Sequence, residues 1–95
     1  MFKKRVMEIY NGKDGDTYMV EFAKVHMGST GADVKTLQTM LYAMGFVGAD
    51  GQPIGIDGDF GKNTEFAVKE FQKINNLEVD GWCGPLTWAR LFGKG

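Results

Sequence analysis

Residues 56–64 read Ile-Asp-Gly-Asp-Phe-Gly-Lys-Asn-Thr, and residues 79–87 read Val-Asp-Gly-Trp-Cys-Gly-Pro-Leu-Thr. The two stretches align without a gap on the pattern aliphatic-Asp-Gly-x-x-Gly-x-x-Thr, so the chain contains an internal repeat. In each copy the aspartate can accept hydrogen bonds from backbone N–H groups just ahead, and the first glycine permits a positive φ. The second glycine stands where a helix can begin, so each copy predicts a turn that leads into a helix. The residues expected to shape these turns are Gly58, Gly61, Thr64, Gly81, Gly84 and Thr87.

The repeat also assigns side chains to the core or to solvent. Phe60 and Cys83 share one variable position, and both are apolar, so we expect that position to face the core. Asp59 and Trp82 share the other variable position, where a charged residue is accepted, so we expect it to face water. An exposed aromatic residue in a turn favours a binding role for Trp82. The leading aliphatic residues are expected to fill the core: Ile56 and Val79.

Apolar periodicity predicts three helices joined by long turns. The first begins at residues 32–33, with Thr30 as a candidate cap. The second runs over about residues 62–74, and the third starts at Pro85, since proline suits the first helical position. The helical side chains expected in the core are Val34, Leu37, Met40, Leu41, Met44, Phe66, Ala67, Val68, Phe71, Ile74, Trp88 and Phe92.

The N-terminal part of the chain has a different pattern. Residues 5–10 and 17–22 are rich in β-branched and aromatic residues, and residues 11–16 between them contain Asn-Gly and Asp-Gly. These features predict a β-hairpin. The expected organisation is a hairpin extension over residues 1–24 and a helical domain over residues 25–95. Because an isolated hairpin is marginal in water, it needs the rest of the chain or a partner to pack against.

Composition narrows the classes of function. The 95 residues suffice for one small domain, and the formal net charge of -1 argues against broad binding to nucleic acid or anionic membrane. One Cys and one His exclude a disulfide framework and a Cys/His zinc site, so no cofactor or metal is expected. The sequence shows no signal peptide and no membrane-spanning run.

Three residue patterns have a chemical and a structural interpretation. The stretch Asp57–Gly61 resembles the start of a calcium loop, but it lacks the required ligands further on, which favours a structural turn. Cys83 is interpreted as a small buried hydrophobic residue, with a reactive thiol as the alternative. His26 is expected to make a local hydrogen bond or to face solvent.

Four segments together resemble the three-helix peptidoglycan-binding domain found beside the catalytic domains of bacterial and phage cell-wall hydrolases. These segments are residues 28–38, 56–64, 68–72 and 79–88, and the resemblance extends over about residues 25–92. Cys83 departs from the family pattern, which usually has an aliphatic or aromatic residue there, and the first 24 residues lie outside it. The resemblance implies a mainly α fold: a three-helix bundle with the repeated turns, to which the hairpin is added.

The resemblance also implies a function, namely non-catalytic binding of peptidoglycan that targets a fused or separate hydrolase to the wall. The chain would then act in the cell wall or outside the cell, after export or phage lysis. Trp88 is expected in the core with an edge toward a groove, while the two glutamines either contact ligand or cap loop backbone. The candidate ligand-binding residues are Trp82, Asp57, Asp80, Asp59, Gln38, Gln72 and Trp88.

Two other classes of function remain open. The chain can be a protein-interaction or structural module of a phage or cell envelope, in which the edge of the hairpin pairs with another chain or with a second copy. An enzyme is the weakest alternative, because an amidase-type metal site needs several His and this chain has one. A lysozyme-like carboxylate pair is conceivable from the acids Asp57, Asp59, Glu65, Glu70 or Asp80, but the aspartates already have turn roles. The sequence therefore favours a binding module without catalysis.

Overall fold

The computed structural model describes residues 22–93 together with two short strands, β1 (Met7–Tyr10) and β2 (Thr17–Val20). The strands pair antiparallel, with Met7 opposite Val20 and Tyr10 opposite Thr17. The loop expected to join them, residues 11–16, lies outside the described residues. The N-terminal hairpin therefore stays a prediction, as does the division of the chain at residue 24.

Three helices form the rest of the described chain: α1 (Ala32–Ala43), α2 (Lys62–Ile74) and α3 (Pro85–Leu91). The prediction of a mainly helical, three-helix fold is confirmed. The sequence offers Thr30 as a candidate cap of α1, but in the structure Thr30 does not cap the helix. It forms a β-bridge with Asp59 instead. None of the three helices has a side-chain cap, and each begins directly after a glycine: Gly31, Gly61 or Gly84.

The core lies between the three helices and the two repeated turns. Trp88 is its largest fully buried side chain, and Phe60 and Cys83 are buried as the repeat predicts. Burial of apolar side chains of this size supplies the main free energy that favours folding. The side chains of the core cluster are Val25, Val34, Leu37, Leu41, Ile54, Phe60, Ala67, Val68, Phe71, Cys83, Trp88 and Leu91.

The expectation that Ile56 and Val79 fill the core is wrong, since these side chains are 42% and 49% exposed. The aliphatic residue that contacts the core stands two positions earlier in each copy, as Ile54 and Leu77. Neighbouring side chains of extended backbone point to opposite sides. Because the next residue, an aspartate, directs its Oδ1 to the buried amide of a glutamine, the aliphatic side chain before it faces the other way, toward solvent.

Four of the helical side chains expected in the core are also exposed: Met44, Phe66, Ile74 and Phe92. Phe66 lies on the side of α2 opposite to its buried residues, so the apolar stripe of that helix does not include it. Met44 and Phe92 follow the last residues of α1 and α3, and Ile74 ends α2. Side chains at helix ends project past the region that the neighbouring helices cover.

Candidate functional site

Gln38 holds the first repeated turn through a set of hydrogen bonds from one buried amide. Its Nε2 donates to Asp57 Oδ1 (3.1 Å), to the Asp59 carbonyl (2.9 Å) and to Thr64 Oγ1 (3.1 Å). Its Oε1 accepts from the N–H groups of Asp57 (3.0 Å) and Gly58 (2.8 Å). Gln38 is only 1% exposed, so these contacts satisfy its amide inside the protein.

Gln72 makes the same five contacts to the second turn. Its Nε2 donates to Asp80 Oδ1 (2.9 Å), to the Trp82 carbonyl (2.9 Å) and to Thr87 Oγ1 (3.1 Å). Its Oε1 accepts from the N–H groups of Asp80 (3.1 Å) and Gly81 (3.0 Å). The two glutamines, from α1 and α2, therefore cap loop backbone in equivalent ways, and neither amide reaches solvent.

The aspartate of each turn is held in its charged form. Asp57 Oδ1 accepts from the Asp59 N–H at 3.0 Å, and this bond, with that from Gln38, lowers the pKa of Asp57. Burial tends to raise the pKa of Asp80, but hydrogen bonds from the Trp82 N–H and Gln72, with the charge of Lys24, lower it overall. The glycine after each aspartate has a positive φ, 80° at Gly58 and 77° at Gly81.

Trp82 is exposed, as the repeat predicts, with 44% of its surface accessible. The His26 ring stacks on the Trp82 indole, with centroids 4.2 Å apart and planes 25° from parallel. Lys24 Nζ lies 5.1 Å from the centroid of the Trp82 ring, within the range of a cation–π interaction. The indole therefore contacts two groups from a distant part of the chain.

The backbone explains why Lys24 and His26 meet Trp82. Val25 and Cys83 form an antiparallel bridge, with N···O distances of 3.1 and 2.8 Å, and both side chains point into the core. The residues on either side of a bridge point to the opposite face. The extended segment 22–27 therefore places Lys24 and His26 on the outer face beside Trp82.

A shallow groove opens next to Trp82 on the surface of the second turn and α3, and we call it the Trp82 groove. Leu86 is 72% exposed and supplies apolar surface, while Asp80 and Lys24 supply opposite charges. An apolar surface with a few polar groups is the usual composition of a binding site for small polar molecules. The residues that line it include Lys24, Leu77, Glu78, Asp80, Trp82 and Leu86.

The structure separates the candidate residues into three sets. Asp80 and Trp82 lie together in the Trp82 groove, whereas Asp57 and Asp59 lie at a separate depression that Lys35 also lines. The interior residues are Gln38, Gln72 and Trp88, and the Trp88 indole Nε1 donates to the Ala23 carbonyl at 3.1 Å. Trp88 is fully buried, so the expected edge toward a groove is not present.

The sequence interpretation missed the roles of Lys24, which lines the groove, and of His26, which stacks on Trp82. His26 is expected from sequence to make a local hydrogen bond, and its Nδ1 does lie 3.0 Å from the Met27 carbonyl oxygen. Its stacking on Trp82 is a contact between residues far apart in the chain, which no local pattern reveals. Alternation around the buried Val25 was the available signal, since it places Lys24 and His26 on one face.

The part of the chain that the structure describes contains one cysteine, Cys83. Cys83 is fully buried, and burial, with the Asp80 charge, raises the pKa of its thiol, so the interpretation as a small buried hydrophobic residue is confirmed. Within residues 22–93, no cluster of three or more His, Cys, Asp or Glu side chains is arranged to hold a metal ion. Over the same residues, no helix has the length and apolar character needed to cross a bilayer.

Comparison with known proteins identifies relatives of the helical region. The family model described as "Putative peptidoglycan binding domain" matches residues 30–91. The zinc D-Ala-D-Ala carboxypeptidase of Streptomyces albus G is 38% identical over 65 residues, which are 68% of this chain and 24% of that protein. The spore cortex-lytic enzyme of Halalkalibacterium halodurans is 40% identical over 67 residues, covering 70% of this chain and 19% of the enzyme.

Solved structures of known proteins also resemble this chain. The N-terminal domain of SleB superposes with a TM-score of 0.67 at 34% identity, covering 76% of this chain and 94% of that domain. A Burkholderia AP3 phage endolysin superposes with a TM-score of 0.64 at 38% identity, over 72% of this chain and 24% of the endolysin. The chain spans about half the length or less of the curated relatives it matches. The shared region contains both repeated turns and all three helices.

Proposed function

The chain belongs to the peptidoglycan-binding domain family, and we propose that it binds bacterial peptidoglycan through the Trp82 groove. One observation carries the proposal: within the family-matched region, the second turn presents a half-exposed tryptophan beside polar and apolar groove residues. The corresponding position of the first turn carries Asp59. The proposed site is therefore on one of the two turns.

The chemistry of the groove suits a ligand made of sugars and short peptides. The apolar face of a sugar ring packs on an aromatic ring, and Trp82 is held in place by its backbone contacts to Gln72 and by the His26 stack. Asp80 Oδ1 is already used by the turn, which leaves its second carboxylate oxygen for ligand hydroxyl or amide groups. A rigid aromatic surface of this kind binds at low cost in side-chain entropy.

The proposed role is non-catalytic and serves to concentrate an enzyme on its substrate. Matched relatives carry the names of cell-wall enzymes that are several times longer than the shared region. A binding module on such a protein raises the effective concentration of the partner domain at the wall. We propose that this chain anchors a fused or separate hydrolase in the cell wall or the extracellular space.

Co-sedimentation with purified peptidoglycan sacculi tests the proposed function. The full chain is expected to sediment with sacculi, and Trp82→Ala is expected to reduce the bound fraction because it removes the stacking surface. Tyr42→Ala is the matched control, since Tyr42 is an aromatic residue 53% exposed on α1 and outside the groove. If the wild-type chain stays in the supernatant while an established wall-binding domain sediments, peptidoglycan binding is rejected.

A second candidate function is a protein-interaction module, in which the hairpin edge pairs with another chain or a second copy. It is supported by exposed apolar side chains outside the groove, among them Tyr42, Met44 and Ile74. Such surface favours contact with another protein. Sedimentation velocity distinguishes this function: a concentration-dependent dimer supports self-association, and a monomer at all concentrations argues against it.

A further inference from the structure

Lys24 stands outside the region that matches the family, which begins at residue 30, yet it lines the Trp82 groove. The extended segment 22–27 places it there through the Val25–Cys83 bridge. A Cβ atom added at Gly84 would lie 3.7 Å from Lys24 Cε and 3.8 Å from Cγ, so the alkyl chain of Lys24 runs along the backbone of Gly84. The ammonium group therefore has a defined location at the edge of the groove.

Within the part of the chain that the structure describes, the Lys24 ammonium forms no ion pair, although its charge acts on Asp80 at longer range. Among residues 22–93, no carboxylate lies within ion-pair distance of its ammonium group, and its recorded contact is with the Trp82 ring. Asp80, an acid that lines the same groove, directs Oδ1 to the Trp82 N–H and to Gln72. The Lys24 ammonium thus keeps donors for a ligand next to an aromatic face.

Building on the proposed function, we propose that Lys24 and Trp82 form a subsite selective for a carboxylate-bearing part of peptidoglycan. An apolar face of the ligand packs on the Trp82 indole, and an adjacent carboxylate accepts hydrogen bonds from the Lys24 ammonium. Charge-assisted hydrogen bonds of this type are stronger than neutral ones. The pairing of a cation with a stacking surface distinguishes charged from neutral ligands of the same shape.

Peptidoglycan offers this chemistry from two sources. The lactyl group of muramic acid carries a free carboxylate wherever the stem peptide has been removed from the glycan. The stem peptide itself carries carboxylates, including its C-terminus. The ligand chemistry is shared, so the experiment needs one pair of probes for each source.

Two matched pairs of soluble probes test the subsite by titration of the full chain, read from the NMR signal of the Trp82 indole N–H. The first pair is a peptide-free tetrasaccharide of alternating N-acetylglucosamine and N-acetylmuramic acid, against N-acetylchitotetraose. The second pair is a stem tetrapeptide against its C-terminally amidated form. In one pair, the probe with the additional carboxylate is expected to bind about two- to fivefold tighter than its match at low salt.

Lys24→Gln is expected to abolish this preference, so that the two probes of the pair bind the variant with equal affinity. Lys73→Gln, at an exposed lysine of α2, is the charge-matched control and should keep the preference. The preference should also shrink in about 1 M salt, because screening weakens exposed charge pairs. Equal affinities within both pairs, a preference unchanged in Lys24→Gln, or no binding of any probe overturns the subsite. Sedimentation of the same wild-type chain with sacculi reports on the proposed function separately.

Discussion

Gln38 and Gln72 show how one side chain can determine the conformation of a turn distant in sequence. Each amide makes three contacts through Nε2 and two through Oε1, so one N–H is shared between two acceptors. Both side chains are 1% exposed. The buried backbone groups of the turn have no water to replace the amide, so the glutamine is needed for their hydrogen bonding.

We expect Gln72→Leu to lower the free energy of unfolding by about 3 kcal/mol or more, because it leaves several buried polar groups unpaired. Gln38→Leu should lower it by a similar amount, since the contacts of the first turn are equivalent. Urea unfolding at neutral pH measures both effects, with Gln52→Leu, at an exposed loop position, as control. A loss of less than about 1 kcal/mol in both variants would show that these hydrogen bonds contribute little net stability.

His26 is expected to act on binding by positioning Trp82. His26→Ala removes the ring that stacks on the indole and should reduce the affinity for sacculi about two- to tenfold. His26→Phe keeps an aromatic ring at the same place and should restore most of the affinity. Co-sedimentation isotherms of the two variants, with their thermal midpoints, provide the comparison. An equal loss in His26→Phe would mean that the imidazole itself contacts the ligand.

The repeated turns are expected to contribute to the acid sensitivity of the fold. Hydrogen bonds to the carboxylates lower the pKa values of Asp57 and Asp80 in the folded chain. A group whose pKa is lower in the folded than in the unfolded state contributes stability above its unfolded pKa, near 4. That contribution is lost as the pH falls through the folded pKa. The turns should therefore weaken below about pH 4.

The variant Asp57→Asn/Asp80→Asn is expected to lose less stability than wild type between about pH 4 and pH 2, because asparagine does not titrate. Asparagine keeps the Oδ1 acceptor of each turn, so the variant should still fold at neutral pH. Urea unfolding midpoints measured across this pH range give the slope of stability against pH for each chain. Asp50→Asn is the control, because Asp50 is an acid outside the two turns. A slope as steep as that of wild type would assign the acid sensitivity to other carboxylates.

The elements differ in how far the sequence predicts them. The bounds of α2 and the start of α3 are predictable because glycine, proline and apolar spacing are local signals. The exposure of Trp82 follows from comparison of the two copies. The contacts of Gln72 depend on a turn that follows it by several residues, so sequence leaves ligand binding and capping equally open. Periodicity also fails at helix ends, where Met44 and Ile74 are apolar but exposed.

At the scale of the whole molecule, the segment before α1 joins the beginning of the described domain to its end. The Phe22 ring stacks on Trp88 with centroids 4.6 Å apart, and the Ala23 carbonyl accepts from the Trp88 indole. Ala23 N–H in turn donates to Asp33 Oδ2 at 2.8 Å. These contacts cross the division expected at residue 24, and sequence could not predict them because they join residues before the family pattern to distant residues within it.

A chain shortened to residues 28–95 is therefore expected to lose about 3 kcal/mol or more of unfolding free energy relative to residues 22–95. The shorter chain leaves the Trp88 indole and both backbone groups of Cys83 without their partners. Residues 22–95 should keep sacculus binding, because Lys24 and His26 are retained. Circular dichroism melts and co-sedimentation compare the two chains, and equal stability would show that segment 22–27 is dispensable for the fold.

Positions 59 and 82 are equivalent in the two repeated turns. Gln38 and Gln72 hold these residues through main-chain carbonyls, and the turn aspartates hold them through main-chain N–H groups. Neither set of bonds uses the side chain at position 59 or 82. The molecule is thus a scaffold with two interchangeable display positions, and a new recognition group can be grafted onto the Asp59 turn while the Trp82 turn keeps its own.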